Sequence, residues 1–538
     1  MTTQQPARRP GERGIALIIT MFLMASLSAL AVSLMFLSNT ETASTRNYRT
    51  MSQARYAGEA GVHAAIDYLM STAYTSTLPG SPFTGYDVTK SPVTCTTAAA
   101  CGHKTTSTCD ASSLANAVST GCVVLSAISG VDSNYPDSTV ATAFSAAAQG
   151  TLATNASGTT SNAAMGTVTY AAAAVLLSMQ EFTVFGGTKV VIQTWQVVGD
   201  GTVPGPVPAT VEVSAIIERG PTGAFKEAVF ATNSGCGAIT MAGNEVTDSY
   251  DSSAALASSG LPVISSSGGN LGTNGNLDIS GNVTVHGVLD TPRAGVGSCT
   301  AGSVTAETTT GRATVDQGYV SLPQTRSVMD PAAPNPMPGT TTLQIKSSTT
   351  CLQIQAYLSG GAICTGASGN FTITGNGGTV ALPNVTMQGG SLTFTGGLSS
   401  TVNVNINSIS LAGGAVLGTS TGTSVVMNVA GQGIGSTGTV LDFTGGSLST
   451  GSFDPSKFEI LYAGTANLKM TGNSGSAALV YAPDAQFTMS GTTDFYGAII
   501  SNKFTDTGGA TVHYDRGLSS KLPTVSNYAL TGFTWKKY

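Results

Sequence analysis

A chain of 538 residues with only 9% charged but 41% apolar side chains is too apolar for disorder, which needs low hydrophobicity and high net charge. It is also too poor in charge for an ordinary cytoplasmic protein, where about a quarter of residues are charged, and its formal charge of −6 argues against the basic footprint of a nucleic-acid-binding domain. With 66 glycines, it reads as a β-rich extracytoplasmic protein surfaced by hydroxyls and amides, long enough for three or four domains or for one large solenoid with smaller parts.

The chain opens with a short basic leader ending Arg13-Gly14, then runs from Ile15 to Leu37 without a charged residue. At about 1.5 Å per residue that run just crosses a hydrocarbon core of about 30 Å. It exceeds the roughly 7–15 residue core of a secretory signal, and its helical pattern continues to about Leu69. The segment therefore reads as a single-pass anchor that leaves everything downstream outside the cytoplasm. Flanking charge orients it only weakly, because Arg8, Arg9 and Arg13 precede it while Arg46 and Arg49 follow. Ala25, Ala29 and Ser33 form a small-residue face that lets another helix approach closely. Farther on, Ala54, Gly58, Gly61, Ala65 and Leu69 make a narrow stripe, and Glu59, His63 and Asp67 mark a polar face. Each helix-interior glycine costs about 1 kcal/mol relative to alanine, so the stripe is expected to pack, either on a neighbouring helix or on the protein's own domain.

Arg13-Gly14-Ile15-Ala16-Leu17 before an apolar helix, followed by Tyr56-Ala57-Gly58-Glu59-Ala60-Gly61-Val62-His63-Ala64-Ala65, resembles the N-terminal region of PilX-type minor pilins. The resemblance covers roughly residues 10–72. It implies cleavage by a prepilin peptidase between Gly14 and Ile15, and packing of the mature helix among other pilin helices. Many pilins carry a glutamate at the fifth mature position, which is Ile19 here. That departure suits a pseudopilin-like tip or initiating subunit better than a bulk filament subunit.

Residues 73–160 are rich in Thr, Ser, Ala and Gly, with one short helix expected near Ser112–Val118. They hold Cys95, Cys101, Cys109 and Cys122; Cys236, Cys299, Cys351 and Cys364 follow. An even count outside the cytoplasm favours disulfides. Eight cysteines allow roughly a hundred pairings, so spacing does not assign them, although Cys351 and Cys364 are placed to close a short loop. His103 between Cys101 and Cys109 invites a zinc reading, but no Cys-x-x-Cys pair supports a metal site.

Strand signals lie at Ala163–Leu177, Lys189–Val198, Ala209–Arg219 and Phe225–Ala231, separated by expected turns at Gly199-Asp200-Gly201 and Gly220-Pro221-Thr222-Gly223. Trp195 on the second strand is expected to pack on the helix. From about Gly235 a unit of alternating residues closed by a Gly-Asn turn recurs at Ile239–Asn244, Leu277–Asn282, Phe371–Asn376 and Leu468–Asn473, with a degenerate copy at Phe487–Thr492. Glycine and asparagine suit left-handed corners while Val and Ile fill a stacked interior. That texture points to a β-solenoid, with a β-sandwich of Gly-rich hairpins as the alternative. The Pro-rich stretch 322–339 reads as an excursion from it. Roughly residues 380–538 resemble a parallel-β module found after PilX-like N-termini. Leu479–Pro483, Phe495–Ser501, Val512–Asp515 and the terminal Gly532-Phe533-Thr534-Trp535 carry that resemblance.

Motifs for catalysis are thin. Gly418–Gly422 matches Gly-x-Ser-x-Gly without a following helix pattern. His513 and Asp515 share one face of a strand, which favours a structural pair. Residues 370–450 hold a single charged residue, Asp442, too few for paired-carboxylate hydrolysis. The expected class is α+β: a long N-terminal transmembrane helix packed on a small antiparallel sheet, then a right-handed β-solenoid-like domain. The expected division is a leader at 1–14, a transmembrane and stalk helix at 15–72, a loop-rich and antiparallel sheet domain at 73–232, and the β domain at 233–538. The expected role is a non-enzymatic minor pilin or pseudopilin of the inner membrane, with its bulk periplasmic or extracellular and no cofactor. Its expected partners are other pilins, the prepilin peptidase, the membrane and a surface ligand. A membrane-anchored adhesin outside any filament and a surface polysaccharide-processing enzyme are the alternatives.

Overall fold

The computed structural model describes residues 12–71, 74, 85–95, 109–152, 167–205, 208–398, 400–471, 476–492, 494–520 and 522–537. The chain divides into two compact units, one of Met1–Glu181, Val191–Gly220 and Tyr528–Tyr538, the other of Phe182–Val190 and Pro221–Asn527. The class is α+β.

In the first unit, one helix runs unbroken from Glu12 to Met70. Its first half contains the apolar run, and its second half lies on a sheet. The strands Val124–Ser126, Val168–Thr183, Lys189–Val203, Ala209–Gly223 and Pro523–Lys537 are neighbours in that order, and Gln149–Leu152 pairs with Val168–Thr183. The registers of Val124–Ser126 and Gln149–Leu152 on Val168–Thr183, and of Lys189–Val203 on Ala209–Gly223, are antiparallel. Ala54, Ala57, Val62, Ala65 and Leu69 are buried in one cluster with Trp195, Val197, Val211, Val213 and Ile217, so Trp195 joins the helix's core as expected. Its indole Nε1 donates to Gln193 Oε1 at 3.2 Å, which satisfies the one polar atom that burial would otherwise orphan. The short helix Leu114–Ser119 lies where one was expected. A second, Ser138–Ala147, is N-capped by Asp137 and sets Phe144 edge-on to Tyr68 at 5.6 Å.

Two expected turns are not turns. Gly199-Asp200-Gly201 lies inside the strand Lys189–Val203, and Gly220-Pro221-Thr222-Gly223 inside Ala209–Gly223. Glycine marks either a corner or a place where another backbone comes close, and the first of these clusters is the second kind.

The second unit is built on a sheet of 21 strands whose neighbours are almost all parallel. Val229–Ala231, Ile239–Gly243 and Val246–Tyr250 form one coil. Leu271–Thr273, Leu277–Gly281 and Thr284–Val285 stack on it strand for strand, and Leu289–Thr291, Glu307–Thr309 and Thr314–Val315 add another layer. The chain then leaves the stack, and the Pro-rich stretch runs along it as a strap. Arg326 N–H donates to Asn274 Oδ1 at 2.7 Å, Tyr481 Oη donates to the Met329 carbonyl at 2.6 Å, and Asn405 Nδ2 donates to the Pro336 carbonyl at 2.8 Å. Beyond the strap, Thr342–Ile345 stacks on Thr379–Gln388, which carries Thr401–Ala412, Ser424–Val429, Phe458–Tyr462, Ser476–Gly491 and Asp494–Gly508 in succession. That last strand pairs in parallel with the first coil, Ile499–Ser501 with Val229–Ala231 and Phe504–Gly508 with Ile239–Gly243.

The sheet thus returns to its own beginning, and the end-to-end solenoid expected from the repeats is not what forms. Local repeats specify that coils stack but carry nothing about their order. The repeats themselves are legible in the stack: Ile239 and Leu277 are in register with each other, as are Gly243 and Gly281, and Phe371–Thr374 belongs to a separate five-stranded sheet. At one corner Gly491, Gly508, Gly243, Gly281 and Gly311 all have φ between 78° and 139°, where a side chain is strained. A Cβ on Gly281 would also stand 2.6 Å from the Gly243 carbonyl.

Candidate functional site

Every residue from Ile15 to Arg49 is exposed on all sides of the helix, including Phe22 at 74% and Met24 at 71%. A helix apolar all round and uncovered needs a non-aqueous surrounding or other helices. It is the one described helix long and apolar enough to cross a membrane. The hydroxyls of the apolar run Ile15–Leu37 suit that setting, since each returns its hydrogen bond to its own helix: Thr20 to the Leu17 carbonyl at 2.9 Å, Ser26 to Leu23 at 2.9 Å, Ser28 to Met24 at 2.8 Å and Ser33 to Ala29 at 2.8 Å. No unpaired hydroxyl donor from these residues would face lipid. Ala25, Ala29 and Ser33 are exposed, as is Ile19 in place of the glutamate. Ile15 is exposed and Gly14 lies on the first turn.

The second half of the helix meets its own sheet closely. A Cβ on Gly58 would stand 2.9 Å from Val213 Cγ2 and 3.1 Å from the Gly199 carbonyl, and one on Gly61 3.4 Å from the Ala171 carbonyl. From the other side, a Cβ on Gly201 would overlap the Ala54 carbonyl and the Gly58 amide and lie 2.9 Å from Ala57 Cβ. Gly199 and Gly201 are two apart on a strand, so they share a face. The helix stripe and that face form one glycine-on-glycine crossing. Of the polar face, His63 and Asp67 are exposed, and Glu59 accepts from Arg55 Nε at 3.0 Å. The sequence signal for the crossing was present as small residues in both elements, but nothing local pairs one set with the other.

In the second unit the polar chemistry gathers where the last coil meets the first. His513, paired with Asp248 in register, contacts its carboxylate at 2.5 Å and stacks on Tyr496 with centroids 4.5 Å apart. Its other nitrogen faces Asp494 at 3.7 Å. Asp515, expected as the partner of His513, instead accepts from Ser252 Oγ at 2.7 Å and from the Ser252 and Gly517 amides. One layer on, His286 contacts Asp316 at 2.6 Å. Inside the same junction lie Asp506 and Glu245, both fully buried, which no motif flags. Ser420 of the Gly-x-Ser-x-Gly match follows the strand Ala415–Thr419 and shares a hydrogen bond with Thr423 at 2.9 Å.

Disulfides join Cys109 to Cys122, Cys236 to Cys299 and Cys351 to Cys364. Cys95 is also disulfide-bonded, and Cys101 and His103 lie outside the described residues. Among the described residues no group of three or more His, Cys, Asp and Glu side chains is arranged to hold a metal.

An uncovered apolar helix continuing into a helix packed on an antiparallel sheet is the layout of a membrane-anchored, pilin-like N-terminal module. Comparison with known proteins assigns it: residues 13–63 match the PilX N-terminal family, so the chain has a PilX-type N-terminal region, and residues 368–521 match a domain of unknown function, DUF7305. Each match spans less than half the chain and assigns its own region. The competence-associated pilin ComZ from Thermus thermophilus is similar at 13% identity, over 72% of this chain and 87% of that chain, with a TM-score of 0.18. No curated protein matches the chain.

Proposed function

We propose that this protein is a non-enzymatic minor pilin or pseudopilin of a type IV pilus-like system, with its large parallel-β domain held outside the inner membrane. The observation that carries this reading is the division of labour along one helix. Ile15–Arg49 is wholly exposed, while one face of the later helix, Ala54, Ala57, Val62, Ala65 and Leu69, is buried on the protein's own sheet. A subunit that enters a helical bundle needs the first half free and the second fixed. In this reading a prepilin peptidase removes the leader between Gly14 and Ile15. Ala25, Ala29 and Ser33 then face neighbouring pilin helices, and the disulfides fit an oxidising compartment. Ile19 at the fifth mature position favours a tip or initiating subunit. It equally suits an anchored adhesin that joins no filament.

N-terminal sequencing of the membrane-associated protein tests the proposal. Ile15 as the first residue is expected, and Gly14→Val is expected to leave the leader in place. An intact Met1 leader or a cut beyond Leu37 refutes the pilin reading. Assay of filaments and adhesion after deletion of residues 235–522 separates the two roles. Loss of adhesion with filaments retained assigns the β domain to display, whereas loss of filaments assigns it to assembly.

A further inference from the structure

The junction between the last and first coils holds two carboxyls in an otherwise apolar interior. Asp506 is in register with Met489 below and Met241 above, and Phe504 beside it stacks between Phe487 and Ile239. Glu245 lies in a buried column with Ala510 on one side and Val283 on the other, as the backbone bonds Val246 N–H to Ala510 and Thr284 N–H to Glu245 show. Glu245 Oε1 accepts from the Gly508 amide at 2.8 Å, so a strand-to-strand bond across the junction already uses this side chain. Glu245 Oε2 and both carboxylate oxygens of Asp506 have no partner among the described residues. Two isolated carboxylates in that setting would be prohibitively costly, and such groups protonate instead.

We propose that Asp506 and Glu245 are a proton-linked latch: a proton retained on the pair lets the last coil close under the first, and its loss at alkaline pH loosens that junction. The residues stacked on the pair are apolar. The other charged groups of the junction, His513, Asp248, Asp494 and Asp515, have the separate partners given above. Burial, followed by the nearby Glu245 charge, pushes the Asp506 carboxyl up to about 7, and burial pushes Glu245 upward as well. A carboxyl raised on folding stabilises the fold relative to its ionised form, and that stability is full below the unfolded carboxylate range. It declines as pH rises from that range through about 7 for Asp506.

Hydrogen exchange on the detergent-solubilised full chain tests this. After correction for intrinsic chemistry, amides of residues 239–243 and 504–508 are expected to open at least about tenfold more at roughly pH 8.5 than at roughly pH 6. Residues 379–395, distant in the stacking order and without a charged side chain, serve as the reference and are expected to stay level. Asp506→Asn, neutral at every pH, is expected to flatten the response, and Glu245→Gln, which removes the smaller cause of the Asp506 shift, to reduce it. Should one variant fail to fold, the other and the wild-type profile still decide. No difference between junction and reference in the wild type overturns the latch, as does a response that persists in both variants. Suppression of the wild-type response by millimolar calcium chloride also overturns it, because the pair would then hold a cation rather than a proton.

Discussion

Gly201→Ala is the sharpest test of how the helix sits on its sheet. Gly201 is not in the left-handed region, so alanine meets no backbone strain and the whole effect is one of space. The new Cβ would overlap the Ala54 carbonyl and the Gly58 amide and stand 2.9 Å from Ala57 Cβ. Ordinary contact begins near 3.4 Å, so the helix must lift by at least about half an ångström, and by more to clear its own backbone atoms. Neither obstacle is a flexible side-chain end that can rotate away. Overpacking typically costs about 1–3 kcal/mol, and a backbone obstacle puts this site at the upper end, about 3 kcal/mol. In a unit of this size that corresponds to a fall in Tm of about 6–12 °C. The assay is thermal unfolding followed by Trp195 emission, in a Trp535→Phe background because the chain has 2 tryptophans. Gly220→Ala is the control, since a Cβ there meets nothing within 4 Å. It is expected to be neutral or stabilising by about 0.4–1 kcal/mol through the unfolded chain. Equal melting of the two variants would refute the close crossing.

Arg326 binds both oxygens of the buried Glu227 at 2.8 Å, donates to the Ala224 carbonyl and lies 4.1 Å over the Phe230 ring. Arg326→Ala is therefore expected to destabilise the second unit by about 3–5 kcal/mol by stranding a buried carboxylate. In a double-mutant cycle measured by urea unfolding, Glu227→Gln should recover much of that loss. The disulfide Cys351–Cys364 closes a separation of 13 residues, and its removal as a double serine variant is expected to cost about 3 kcal/mol. Peptide mapping without reduction should recover that pair and Cys109–Cys122 as linked fragments.

What was legible in the sequence was whatever a local pattern encodes. The helix from the leader to about Leu69, the short helix after Cys109, the burial of Trp195 and the stacked coils all follow from spacing and residue type. Gly199-Asp200-Gly201 misled because the same residues suit a corner and a crossing, and only the position of Ala54 and Gly58 decides between them. Spacing along the strand pairs His513 with Asp515, two residues away, whereas its partner Asp248 is 265 residues distant. Asp506 and Glu245 were invisible for the same reason. Each looks like an ordinary surface carboxylate until the order of the coils is known.

That order has a physical cause in the connectivity. The chain leaves the first unit's sheet on Ala209–Gly223 and rejoins it on the adjacent strand Pro523–Lys537. A segment inserted between neighbouring strands must bring its two ends together, and a stack built in simple sequence would leave them at opposite ends. With strands about 4.8 Å apart, a stack of some ten layers would separate them by tens of ångströms. The Pro-rich strap removes the conflict. It carries the chain from the layer of Tyr319–Ser321 to Thr342–Ile345 at the other end, so that later coils build back toward the first. Proline suits that path because an extended chain rising about 3.1 Å per residue spans such a distance in about 20 residues without needing ladder hydrogen bonds. Closure then falls on the last coil alone, and the junction that receives it carries the His513–Asp248 contact and the Asp506–Glu245 pair. In a repetitive stack whose apolar columns would accept a slipped register almost as well, the His513–Asp248 contact is the matched polar pair that marks the correct docking.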